Sequence, residues 1–185
     1  DDPDVIASGP TLPDRSTQGE ALDVITRYEI EVSDAVRAWL SDPVNETPKP
    51  GDPRFDGHES VMIAKCQNAL DAAADYAKKA GITPVLIGDD LQGEARILGQ
   101  EHIRKALGYN GTERPYVVIS GGETTVTVRG QGKGGRNTEY LLGALLEARG
   151  RSGLYGLACD TDGIDGSEDN AGAVFSPATW DVANQ

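Results

Sequence analysis

Apolar positions along the chain fall into two regimes. In the first, helical spacing dominates, over Gln18–Tyr28 and Val32–Leu40. Ser16 or Thr17 stands where a cap is needed, with Glu20 placed for a capping box. The stretch before them, Val5–Thr17, is rich in turn residues, including Gly9-Pro10, Pro13 and Asp14. Residues Asp42–Asp56 are proline-rich, glycine-containing and polar, and read as a linker or exposed excursion.

Beyond the linker the pattern becomes α/β. A short strand is expected near Ser60–Ala64. Gln67–Ala80 reads as a helix whose inner face is alanine (Ala69, Ala73, Ala74, Ala77, Ala80), stopped by Gly81. Pro84–Ile87 reads as a buried strand, and Gly93–Leu107 as a helix with Ala95, Ile97, Leu98 and Ile103 inward. The β-branched run Tyr116–Ile119 predicts a central strand. Thr124–Val128 alternates threonine and valine, which suits a half-exposed or antiparallel strand. A leucine-rich helix over Arg136–Ala148 and a strand over Leu154–Cys159 complete the pattern, with the start of a further element at Asp181–Gln185. The expected fold class is therefore α/β, a layered αβα domain on a mixed, largely parallel sheet. The expected division is 1–50, a partial segment of a first α/β domain plus linker, and 57–185, a second domain.

Composition narrows the function. Seventeen basic against thirty acidic residues give a net charge of −13, which argues against a nucleic-acid or acidic-membrane binder. Any anion site must then be built locally. Cys66 and Cys159 form neither a redox pair nor a zinc set and suit a reduced, cytoplasmic compartment. No apolar run is long enough to span a bilayer. His58 and His102 have no partner at ligand spacing, so neither is assigned a metal or general-base role.

Chemistry concentrates in glycine-rich segments at strand ends, where α/β folds bind ligands. Gly130–Asn137 (GQGKGGRN) joins a strand to a helix and carries Lys133 and Arg136, a pattern suited to an anion. Gly130, Gly132 and Gly135 also match the dinucleotide fingerprint, but the strand before them is half polar. Arg136-Asn137 stands where a P-loop needs Lys-Ser/Thr, which excludes a standard P-loop. Ser120-Gly121-Gly122-Glu123-Thr124 can offer backbone N–H groups to phosphate, or let a second backbone pass close. Its Glu123 could hold a metal or a ribose hydroxyl. Asp160-Thr161-Asp162-Gly163-Ile164-Asp165-Gly166 clusters three carboxylates, suited to Mg²⁺, with an Asx turn as the plainer alternative. Ser8-Gly9-Pro10-Thr11 is, alone, a tight turn.

Four motifs in order, VIASGPTLPDRST, SGGETTVTVRG, GKGGRNTEYLL and DTDGIDGSEDNAGA, resemble the glycerate 2-kinase family with its MOFRL domain, over about Asp2 to Ala173. Members of that family also carry the name hydroxypyruvate reductase. The resemblance implies ATP- and Mg²⁺-dependent phosphorylation of D-glycerate to 2-phosphoglycerate in a cleft between two α/β domains. On this reading Arg136, Lys133 and Asp160 are catalytic. Ser120, Gly121, Gly122, Glu123, Gly134, Gly135 and Asn137 hold the nucleotide. Ser8, Gly9 and Thr11 line the substrate side, and Asp162 and Asp165 hold the metal. The partner is a small molecule, with no nucleic acid or membrane. Family members are longer, with an N-terminal lysine thought to be catalytic and a C-terminal GPTGTN-like motif, so the 185-residue chain is expected to be inactive alone. The alternatives are an NAD(P)H-dependent hydroxypyruvate reductase and a non-catalytic nucleotide- or sugar-acid-binding module.

Overall fold

The computed structural model describes residues 3–5, 9, 11–109 and 111–183. Ser8 of the proposed substrate turn lies outside them. The chain forms two compact units, 1–65 and 66–185.

The first unit is helical where it is regular. Helix α1 spans Gln18–Arg27 and α2 spans Asp34–Ser41. Thr17 and Glu20 close a reciprocal capping box on α1. The Thr17 N–H donates to Glu20 Oε2 at 2.7 Å and the Glu20 N–H to Thr17 Oγ1 at 3.2 Å. Ser33 caps α2 through the Val36 N–H. The proline-rich stretch holds two 3₁₀ turns, Pro43–Asn45 and Pro53–Phe55, each opened by an aspartate that accepts a backbone N–H. It is tied back within the unit, since Thr47 donates to Asp14 at 2.9 Å and the Asp14 N–H to Pro48 O. The expected strand at Ser60–Ala64 is corrected: these residues form none and are exposed, Ile63 at 94%. β-Branched composition cannot make a strand without a ladder partner.

The second unit runs α3 (Cys66–Lys79), β1 (Thr83–Leu86), β2 (Leu91–Glu94), α4 (Ala95–Gly108), β3 (Tyr116–Ile119) and β4 (Gly122–Thr125). It continues with α5 (Arg136–Ala148), β5 (Gly156–Cys159), β6 (Gly172–Phe175) and α6 (Pro177–Ala183). The fold is α/β. Its strands pair as three two-stranded ladders: β1–β3 parallel, β2–β4 parallel and β5–β6 antiparallel. The antiparallel element is thus β5–β6, whereas the threonine–valine run enters β4, which is parallel. β4 ends at Thr125, and Glu94 takes over beyond it, accepting the Thr127 N–H at 3.2 Å and hydroxyl at 2.9 Å.

Two buried faces also differ from expectation. On α3 the buried positions are Leu70, Ala74 and Ala77, with Ala69, Ala73 and Ala80 exposed. On α4 Ile97 is exposed, while Gly99 and His102 are buried with Ala95 and Ile103. The core of the unit joins Ile103 of α4, Leu141, Ala144, Leu145 and Ala148 of α5, and Phe175 of β6. A side chain at Gly99 would collide with Tyr140 O and one at Gly143 with Arg96 O, so the two helices pack backbone to backbone. Burial of α5 on this face fixes where its N-terminus, and hence Arg136, can stand.

Candidate active site

Three of the four motifs meet at the N-terminus of α5. Gly135 is its N-cap and has no side chain to accept the first free N–H groups. Asp165 fills that place from 28 residues away. Its Oδ1 accepts the Asn137 N–H at 2.8 Å and Asn137 Nδ2 at 3.2 Å, and its Oδ2 accepts the Thr138 N–H at 2.8 Å. The carboxylate is 1% exposed. Burial alone would push its pKa up, but the N–H groups of Asn137 and Thr138 outweigh this and hold it below the ordinary value. The anion at this helix end is the chain's own.

Close backbone approach makes the arrangement possible. A side chain at Gly135 would strike Asp165, and one at Gly166 would strike Gly134 O. The Ser167 N–H donates to Gly134 O at 3.2 Å and the Asp165 N–H to Asn170 O at 2.7 Å. The glycine-rich turn and the Asp160–Gly166 loop are thus fastened to each other.

Arg136, first residue of α5, carries the charge of the site. One guanidinium nitrogen pairs with Glu123 of β4, and the other lies 3.4 Å from Asp160 Oδ2 at the end of β5. Its side chain stays 42% exposed, within reach of a ligand, while Asp160 is 12% exposed. Asp160 Oδ1 accepts the Asp162 N–H at 2.9 Å. Lys133 is more outlying; it pairs with Glu168 at 3.3 Å on the surface.

Several of the expected site residues have partners within the chain. Both oxygens of Asp165 accept hydrogen bonds from the head of α5. The N–H groups of Gly134 and Gly135 have acceptors within the chain. They donate to Ser167 Oγ at 3.4 Å and Thr138 Oγ1 at 2.7 Å. Asn137 donates both its N–H and its side-chain amide to Asp165. Gly121 and Gly122 are closely approached, Gly121 by the Cys66 side chain and Gly122 by the Leu91 backbone. The Gly121 N–H donates to Gly88 O at 2.9 Å, and side chains at these positions would strike Cys66 and Leu91. Ser120 is half-buried just ahead of them. Gly9 and Thr11 belong to the first unit, where Gly9 has a positive φ of 48° and its carbonyl accepts the Leu12 N–H.

Asp160 and Asp162 fit a hard cation in part. Asp162 is exposed, and its carboxylate makes no hydrogen bond or ion pair among the described residues. No group of three potential metal-ligating side chains assembles among them. No helix among the described residues is long and apolar enough to cross a membrane.

Sequence reasoning missed one further pair. His102 Nδ1 lies 2.6 Å from the Tyr140 hydroxyl in the α4–α5 interface, and its buried Nε2 has no partner among the described residues. The 38-residue separation concealed it.

Comparison with known proteins agrees with the motifs. Residues 116–185 match the MOFRL family, and residues 1–41 match a domain of unknown function, DUF4147. The chain is 44% identical over 183 residues to an Agrobacterium vitis protein whose provisional name is hydroxypyruvate reductase, covering 96% of this chain and 41% of that protein. It is 37% identical over 180 residues to D-glycerate 2-kinase of Thermotoga maritima, covering 95% and 42%. The crystal structure of a Thermotoga maritima glycerate kinase superposes with a TM-score of 0.74 at 35% identity, over 97% of this chain and 42% of that one. The chain therefore spans about two-fifths of the length of these relatives. Over that span it is similar to the glycerate 2-kinases, and its residues 116–185 match the MOFRL family.

Proposed function

We propose that the intact protein transfers a phosphoryl group from ATP to D-glycerate, giving 2-phosphoglycerate, and that Arg136 is the group that meets the transferred or substrate anion. The observation that carries this is the guanidinium held between Glu123 and Asp160 at the junction of three motifs. Phosphoryl transfer asks a protein mainly for positioning and charge neutralisation. An exposed fork whose far nitrogen is held by a largely buried carboxylate supplies both, since it can exchange the exposed Glu123 for an anion without losing its orientation. Lys133 adds a second cation at the rim. Asp160 orients the guanidinium and fixes the turn that presents Asp162. Mg²⁺, held by Asp162 with help from Asp160, would neutralise nucleotide phosphates.

The reductase reading draws on the glycine fingerprint and the name of the Agrobacterium vitis relative. Asp165 weighs against it, because the α5 N–H groups that would receive a pyrophosphate already hold a carboxylate. The deciding experiment gives the full-length protein ATP, Mg²⁺ and D-glycerate and follows ADP release, beside hydroxypyruvate with NADH or NADPH followed by absorbance. Glycerate-dependent ADP release with 2-phosphoglycerate as product supports the proposal. Oxidation of the reduced nucleotide without ADP release overturns it, and binding with neither reaction marks a non-catalytic module.

A further inference from the structure

The geometry points to Asp165 as the positioning residue for Arg136, an assignment that rests on Arg136 being the anion-binding group of the proposed kinase. A guanidinium on the first residue of a helix is only as well placed as the helix end that carries it. Here the end has a glycine N-cap, and the second and third N–H groups of the helix would otherwise be unsatisfied. Asp165 takes both of them, and the Asn137 side chain as well.

The same loop also supplies Asp160, which faces the Arg136 guanidinium at 3.4 Å. One loop thus grips α5 twice, with Asp165 on the helix backbone and Asp160 on the side chain at its head. The grip on the backbone is buried and neutral overall, because a carboxylate meets the positive end of a helix. The grip on the side chain stays open to solvent, where a ligand can compete for it. Asp165 touches no position a ligand could reach, being 1% exposed, so its effect on chemistry must pass through Arg136.

Asp165→Asn keeps the shape and removes one acceptor, setting an NH₂ group against a backbone N–H. In the full-length protein its kcat for glycerate-dependent ADP release should fall roughly 10–100-fold, the scale of a misplaced catalytic group, with KM for ATP nearly unchanged. The discriminating measurement is the double variant. In an Arg136→Ala background Asp165→Asn should lower kcat by less than about twofold, because the group it positions is gone. An equal loss in both backgrounds, at matched folded fraction, overturns the assignment. Should Asp165→Asn fail to fold, Asn137→Ala removes only the side-chain donor and supports the same comparison: a small kcat loss that vanishes without Arg136 upholds the assignment, and one that persists overturns it. A wild-type protein that releases no ADP would sink the kinase reading alone. Asp165 is then decided by ¹⁵N relaxation of the Arg136 Nε–H group, which should be ordered in wild type and mobile in Asp165→Asn; unchanged order overturns the assignment.

Discussion

Helix α5 is anchored at its head and along its flank by opposite means. Its head is polar, with N–H groups, carboxylates and hydroxyls brought together from loops and the N–H groups of Gly135, Asn137 and Thr138 all partnered. Its flank against α4 is apolar and glycine-spaced, yet it contains the buried ring nitrogen His102 Nε2, unpartnered among the described residues. The head therefore stores its precision in hydrogen bonds and the flank in shape. Substitutions at the head should separate activity from stability, and those at the flank should move both together.

The widest separation is expected at Arg136. Arg136→Ala in the full-length protein should lower glycerate-dependent ADP release about 10³-fold, the low end for losing an arginine that stabilises a transferring phosphoryl group. Its melting temperature should fall far less than its activity, because the side chain is half exposed and one of its two partners, Glu123, lies at the surface. A large drop in melting temperature with unchanged kcat would invert the comparison.

At the flank the cost should appear in stability. Gly99→Ala sets a methyl against Tyr140 O and near Ala144 N, atoms of a helix backbone that cannot rotate away. Denaturant unfolding should show a loss of about 1–3 kcal/mol, as for other overpacked sites. A neutral result would mean that α4 and α5 pack less closely than their glycines indicate. Asp165→Ala falls next, at about 1 kcal/mol, the usual value of a lost N-cap interaction. Unlike Gly99→Ala, it should reduce kcat by far more than its effect on folding explains.

This contrast also shows which features the sequence displayed. The run Tyr116–Ile119 and the helix Arg136–Ala148 were legible to the residue, because continuous β-branching and leucine spacing are local signals. β2 was not, since Leu-Gln-Gly-Glu offers a single apolar side chain and joins its ladder through backbone alone. The convergence of SGGET, GKGGRN and DTDGIDG was legible as three glycine-rich strand ends. The use of Asp165 was not, because its partners are N–H groups 27 and 28 residues away that no side-chain pattern marks. The available hint was indirect: a helix beginning after Gly-Gly has no capping side chain of its own and must borrow one.

Acid should distinguish the flank from the head by pH window. His102 has its pKa lowered, first by burial and then by Lys105, with Glu101 opposing; from α5 it faces Tyr140, whose own pKa burial raises to about 12. The folded state then holds the neutral ring while the unfolded chain takes up a proton below its ordinary value of about 6.5. The unfolded state binds more protons there, so stability falls as pH drops below about 6.5, by at most about 1.4 kcal/mol per pH unit for one group. Asp165 also has a lowered pKa, so its contribution is intact above the ordinary carboxylate value of about 3.9 and is lost only as pH falls further. Between about pH 6.5 and pH 5 the slope belongs mainly to the flank; toward pH 4.5 Glu46, Glu94 and Glu147, held by hydrogen bonds below the ordinary glutamate value of about 4.3, add to it. Urea unfolding of the 185-residue chain from pH 7 to about pH 5 should therefore show declining stability that flattens in His102→Asn, which keeps an amide near Tyr140 without a titrating ring. Asp165→Asn should leave the slope in this range intact and remove stability uniformly across it. If His102→Asn retains the wild-type slope, the buried ring is not what couples the α4–α5 flank to pH, and the two ends of the comparison would differ only in shape.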